Sequence, residues 1–264
     1  MLLEELKYAA WGTGFTFLLT VLGAAMVFFF KKDMSTTMHR VFLGFAAGVM
    51  TAASVWSLLL PAIERAQEQG SNILLPVGGG FVVGGAFLML LDGLLPHLHM
   101  ISKEREGLPA SWKRTTMLVL AVTLHNIPEG MAVGLAFSVA VQSPEAGAFA
   151  GAAALAIGIG LQNFPEGAAI SLPLHAQGMG RMRSFVCGGL SGIVEPVFGL
   201  LTVLVAGRVA ASMPWILSFA AGAMIYVVAE ELIPEANLDR RSHAGTVSIM
   251  GGFLVMMLLD VLLG

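Results

Sequence analysis

Charge is scarce in this chain: Asp, Glu, Lys and Arg make up 12% of its 264 residues, roughly half the share of a water-soluble domain. With 56% hydrophobic residues and a mean hydropathy of +0.82, that scarcity excludes a soluble domain and reads as an integral membrane protein. Cysteine is nearly absent. Cys187 stands alone, which excludes an intramolecular disulfide and a thiolate zinc site, and it reads as a small buried hydrophobe. A basic excess is missing as well: the net charge is -3 and the pI near 6.1, which argues against a nucleic-acid partner. The opening residues, Met1 to Lys7, lack the basic stretch of a signal peptide, and the apolar run behind them is long enough to stay in the bilayer. Glycine (32) and methionine (16) are plentiful, a composition suited to close helix packing in lipid.

A helix needs roughly 20 apolar residues to cross the hydrocarbon core. Such runs occur at about 8–30, 41–61, 73–95, 115–140, 146–173, 184–207, 213–233 and 245–263. The expected fold is an all-α polytopic membrane protein of eight transmembrane helices, a single transmembrane domain over 1–264. Basic residues gather in alternate connections: Lys31, Lys32 and Arg40; Lys103, Arg105, Lys113 and Arg114; Arg181 and Arg183; Arg240 and Arg241. Lys7, Arg65 and Arg208 fall on the other side. The positive-inside rule therefore makes the odd connections cytoplasmic and leaves both termini outside.

Two short patterns recur. Phe45-Ala-Ala-Gly48-Val-Met50 in the second span returns as Phe219-Ala-Ala-Gly222-Ala-Met224 in the seventh, and Leu90-Leu91-Asp92 in the third as Leu258-Leu259-Asp260 in the eighth. Spans two and seven cross in opposite directions, so the reading is a 3+2+3 arrangement with an inverted repeat of spans 1–3 and 6–8. Inverted repeats accompany alternating access, with the site near the midplane.

Spans four and five hold the polar anomaly: Leu124-His125-Asn126-Ile127-Pro128-Glu129-Gly130 and Leu161-Gln162-Asn163-Phe164-Pro165-Glu166-Gly167. His125 and Glu129 are four apart, as are Gln162 and Glu166, so each pair shares a helix face. An ionised side chain at the bilayer centre costs about 2.5–3.5 kcal/mol, so Glu129, Glu166 and Glu195 unpaired would cost on the order of 8–10 kcal/mol. Spans four, five and six contain no Lys or Arg within their apolar runs, leaving protons or a bound cation to neutralise the carboxylates. Imidazole nitrogen with amide and carboxylate oxygens suits Zn²⁺, Mn²⁺ or Fe²⁺. Asn126 and Asn163 would serve a second ion, bridged by Glu129 and Glu166. Pro128 and Pro165 free the carbonyls of Leu124 and Leu161 at the same places. Singly, Asn126, Asn163 or Gln162 is as readily a helix-to-helix hydrogen bond; intramembrane glutamates are functional by default.

Further acidic residues suit a path. Glu64, at the outer end of span two, is an expected entrance group, though a solvated helix end explains it equally. Asp92, Glu230 and Glu231 are expected exit groups on the cytoplasmic side. His97, His99, His175, His243 and Asp260 rank below these, and core packing is the default for Met50.

The paired motif, on spans four and five of eight, resembles that of the ZIP (Zrt-/Irt-like) divalent-metal transporters and is most similar to their bacterial GufA-like branch. The likeness covers essentially the whole chain. It implies a binuclear site, with His125, Glu129, Gln162, Glu166 and Met50 around one ion and Asn126, Glu129, Asn163, Glu166 and Glu195 around the other. It also implies a homodimer and an elevator-like movement of spans 1, 4, 5 and 6 against spans 2, 3, 7 and 8. Relatives often carry Asp where Asn163 stands, which implies a weaker second site here; many have His where Gln162 stands, and some His at Glu230.

The expected function is therefore transport of Zn²⁺, as substrate, into the cytoplasm across the inner membrane, with Fe²⁺, Mn²⁺ and Cd²⁺ as further cargo and protonation of Glu129 or Glu166 as a means of release. Two alternatives stand beside it: a passive divalent-cation channel, and an intramembrane metalloenzyme, against which the absence of a His-Glu-x-x-His pattern counts.

Overall fold

The computed structural model describes residues 1–30, 35–95, 97–98, 105–106, 114–143, 147–206, 212–238 and 242–263. Lys31, Lys32, His99, Lys103, Lys113, Arg208, Arg240 and Arg241 lie outside the described residues. Among the described residues, eight long helical stretches follow one another. The first, α1, is Leu2–Ala24 with a tighter tail, Ala25–Phe28. Helix α2 runs Thr36–Glu68, α3 Leu74–Leu94, α4 Arg114–Gln142 and α5 Ala148–Ala176. Helix α6 is Arg181–Leu190, a 3₁₀ turn Ser191–Ile193, and Val194–Ala206. Helix α7 is Met213–Ala236 and α8 Ala244–Leu263. All but α4 meet the length and apolarity needed to cross a membrane, and α4 is 29 residues long. Between α3 and α4, β1 (His97–Leu98) pairs antiparallel with β2 (Arg105–Glu106).

Local chemistry sets the boundaries. Ser35 caps α2 by accepting the Met38 amide at 3.2 Å. Gly178, with φ +94°, ends α5 in a conformation that side-chain-bearing residues avoid. Two helices widen to π geometry just before a proline: Ser54–Leu59 ahead of Pro61 in α2, and Val228–Leu232 ahead of Pro234 in α7. A proline lacks the amide and crowds the carbonyl four residues back, and one wide turn absorbs both defects. The offset that takes Phe45 to Phe219 also takes Ser54 to Val228.

The helices associate in two groups. In one, α1 packs on α5 and α4 on α6; in the other, α2 packs on α8 and α3 on α7. The second group rests on glycine. A Cβ on Gly48 would lie 2.0 Å from the Ile249 carbonyl oxygen and one on Gly222 2.0 Å from that of Phe81. One on Gly84 would lie 2.0 Å from the Phe219 oxygen and one on Gly252 2.1 Å from that of Phe45. The two copies of the Phe-Ala-Ala-Gly pattern thus make the same backbone contacts, α2 with α8 and α7 with α3. Outward, α3 and α8 are the least buried, exposing Val82, Val83, Met89, Leu90, Val247, Met250, Leu254 and Val261, as a lipid-facing surface requires.

Gly84→Ala and Gly252→Ala should each destabilise the protein by about 1–3 kcal/mol through overpacking. Gly251→Ala, where a Cβ meets nothing within 4 Å, should be neutral. Thermal unfolding in detergent distinguishes the three.

Candidate metal centre

Both polar motifs lie within unbroken helices, α4 with Pro128 and α5 with Pro165 inside. Their terminal glycines explain the neighbours they have. A Cβ on Gly130 would come 2.3 Å from the Glu195 carbonyl oxygen, and one on Gly167 2.0 Å from that of Thr20. Bare backbone at these points lets α6 press against α4 and α1 against α5, and so carries Glu195 and Thr20 to the motif.

His125, Asn126, Glu129, Gln162, Asn163 and Glu195 are all buried. Gln162 Nε2 donates to Glu129 Oε1 at 2.5 Å, joining the two motifs. Asn163 Nδ2 donates to Glu195 Oε2 at 2.9 Å, Thr20 Oγ1 donates to Glu195 Oε1 at 3.3 Å, and Asn126 Nδ2 donates to the Ser191 carbonyl at 3.3 Å. Each amide spends its NH₂ on a neighbour and keeps its oxygen. Asn126 Oδ1, Glu129 Oε2, Gln162 Oε1 and Asn163 Oδ1 are buried and receive no hydrogen bond. Four buried acceptors without donors, each worth about 1–3 kcal/mol of lost solvation, form a constellation that a cation stabilises.

His125 is turned to a partner from the other helix group: its Nε2 lies 2.7 Å from Glu231 Oε1, within the π turn of α7. Among the described residues no three His, Cys, Asp or Glu side chains converge into a ready coordination sphere. The unpaired acceptors at the motif are therefore mainly amide oxygens, while His125 is engaged by Glu231.

Met50, His125, Glu129, Gln162 and Glu166 line one cavity, continued by His39, Phe42, Leu43 and Ala46 along α2. Its free space, about 30 Å³, admits an ion with one or two waters. On the other side a wider vestibule of about 360 Å³ is lined by Ser57, Glu64, Glu68, Ala136, Gly151 and Asp260, among others. Met50 and Ser57 on α2, like Glu129 and Ala136 on α4, are seven residues apart, so about 10 Å separates centre from vestibule. The fully buried Ala53, Ala132, Leu155 and Ile159 occupy that interval along their helices.

The path residues have separate fates. Glu64 lines the vestibule, where Asp260 accepts the Ser57 hydroxyl at 3.0 Å. Glu231 is at the centre itself, whereas Glu230 is exposed. Asp92 is buried and accepts the Tyr226 hydroxyl at 3.0 Å, away from the cavity lining. His175, expected in a connection, is in the last turn of α5, its Nδ1 donating to the Met179 carbonyl at 2.9 Å. Three contributors escaped the sequence reading: Thr20, His39 and the direct pairing of Glu231 with His125. Thr20 was detectable, since Thr13, Thr16 and Thr20 make one polar stripe on an otherwise apolar α1.

Glu129→Gln should weaken divalent-metal affinity about tenfold or more while preserving the Gln162 contact and the fold. Titration calorimetry with Zn²⁺ and a melting curve, on the same preparation, check both halves.

The ZIP zinc transporter family model matches residues 97–260. The chain is 38% identical to zinc transporter ZIP11 of Homo sapiens, over 96% of both chains. It is 37% identical to zinc transporter GufA of Myxococcus xanthus, over 93% of this chain and 94% of that one. It is 35% identical to zinc transporter ZIPB of Bordetella bronchiseptica, over 97% of this chain and 82% of that one. With the paired motifs brought together inside an all-helical membrane bundle, these likenesses show that the chain belongs to the ZIP family of metal transporters.

Proposed function

We propose that this chain carries Zn²⁺, with Fe²⁺, Mn²⁺ and Cd²⁺ as weaker cargo, across the inner membrane into the cytoplasm. The observation that carries the reading is the set of buried acceptor oxygens without hydrogen-bond donors, two of which, on Glu129 and Gln162, belong to residues that line with His125 and Glu166 a space sized for one ion. The similarity to proteins named zinc transporters supports the same cargo. The principal ion is held by His125, Glu129, Gln162 and Glu166, with Met50 at the cavity wall. Mixed imidazole, amide and carboxylate donors give an intermediate softness that suits Zn²⁺. Asn126, Asn163 and Glu195 form a second, weaker site, because its amides are neutral donors and the Asn163 and Thr20 hydrogen bonds draw on the charge of Glu195.

Access alternates. With the odd connections cytoplasmic, the His39 end of the cavity faces the cell interior and the Glu64 vestibule faces outward. The apolar interval of about 10 Å between them supports a carrier over an open channel. The two glycine-packed pairs support reading the bundle as an inverted repeat, the usual frame for such a carrier. The α1, α4, α5, α6 group then moves as a unit against α2, α3, α7 and α8. Because His125 belongs to the first group and Glu231 to the second, their contact forms and breaks with that movement.

Glu166→Ala should abolish Zn²⁺ uptake into proteoliposomes while leaving insertion and melting temperature unchanged; normal uptake would overturn the site. Asn163→Asp adds a charge to the second site and should raise its Zn²⁺ affinity about tenfold, read by equilibrium dialysis as a second tightly bound ion.

A further inference from the structure

The inner cavity has one metal-binding group that the proposed centre leaves unused. His39, Phe42, Leu43, Ala46 and Met50 all line it from α2, at spacings that put them on one helix face. The eleven residues from His39 to Met50 span about 16 Å, so this stripe runs from the metal centre to the first turn of the helix. Between its ends the α2 lining is apolar. His39 is 9% exposed and lines the cavity at its far end. That turn is held firmly: Ser35 caps it, and the Ser248 hydroxyl of α8 donates to the Val41 carbonyl.

An ion leaving His125, Glu129, Gln162 and Glu166 by this route gives up its donors and enters a narrow apolar stretch. About 30 Å³ of free space cannot hold a full hydration shell. A nitrogen donor at the end of the stretch lowers the barrier to leaving the centre. We propose that His39 is a transit ligand that receives a Zn²⁺-class divalent cation between the metal centre and the cytoplasmic side. The proposal rests on the transport reading above.

The test compares wild type, His39→Leu, His39→Asp and Glu166→Ala in proteoliposomes, with Zn²⁺ and Mn²⁺ as the measured ions. His39→Leu should lower maximal Zn²⁺ uptake about fivefold and leave equilibrium Zn²⁺ affinity within about twofold, because loading does not use His39. His39→Asp should restore Zn²⁺ uptake to within about twofold and raise Mn²⁺ uptake relative to Zn²⁺, since a carboxylate is the harder donor. Wild-type uptake by His39→Leu, or His39→Asp as slow as His39→Leu, overturns the transit role; so does a loss of equilibrium affinity equal to the loss of rate, which would put His39 in the centre. Normal uptake by Glu166→Ala overturns the transport reading instead, whatever the His39 variants do.

Discussion

Burying carboxylates in a bilayer without a basic side chain to meet them is the constraint on which this structure turns. Glu129 and Glu195 are buried in the bundle, and their hydrogen-bond partners are amides and hydroxyls rather than Lys or Arg. Amides offer both a donor and an acceptor. Each NH₂ here satisfies a carboxylate or carbonyl, and the oxygens left over point to the same chemistry as the carboxylates themselves. Ion pairing with Lys or Arg would have satisfied the charge permanently; partial satisfaction by amides leaves buried acceptor oxygens without donors.

The remaining architecture makes that arrangement possible. Glycines at Gly130 and Gly167 bring α6 and α1 to backbone contact at the motif, while Pro128 and Pro165 loosen the helix ladder beside its polar side chains. The threonines of α1 keep their hydroxyls satisfied within the helix, Thr13 to the Ala9 carbonyl at 2.7 Å and Thr16 to that of Thr13 at 3.0 Å, so a polar stripe is tolerated in an apolar span. In the first turns of α1, Glu5 accepts the Ser138 hydroxyl at 2.7 Å and ties α1 to α4. Both groups are thus held by glycine contacts together with polar ones, the second by Ser57 on Asp260 and Tyr226 on Asp92. The π turn of α7 joins them, since it presents Glu231 to His125.

Much of this was legible in one dimension. The eight helical stretches match the apolar runs to within a few residues at most ends, because span length is fixed by bilayer thickness and polar connections punctuate it. The larger differences are at α1, which starts at Leu2 rather than near 8, and α2, which continues to Glu68 rather than ending near 61. In both, amphiphilic turns with Glu4, Glu5, Glu64 and Arg65 stay helical beyond the apolar core, which hydropathy cannot register.

The sequence by itself determined the membrane class, the span order and the identity of the paired motif, since these depend on composition and on residues within one or two helix turns of each other. The tertiary structure decided which distant groups meet that motif: Glu231 on His125, Thr20 on Glu195, and His39 at the end of the same cavity. Those meetings depend on helix rotation and crossing, set by glycine contacts and π turns spread over the whole chain. A local pattern carries no record of which face of one helix another will press against, so the full coordination environment emerges only on packing.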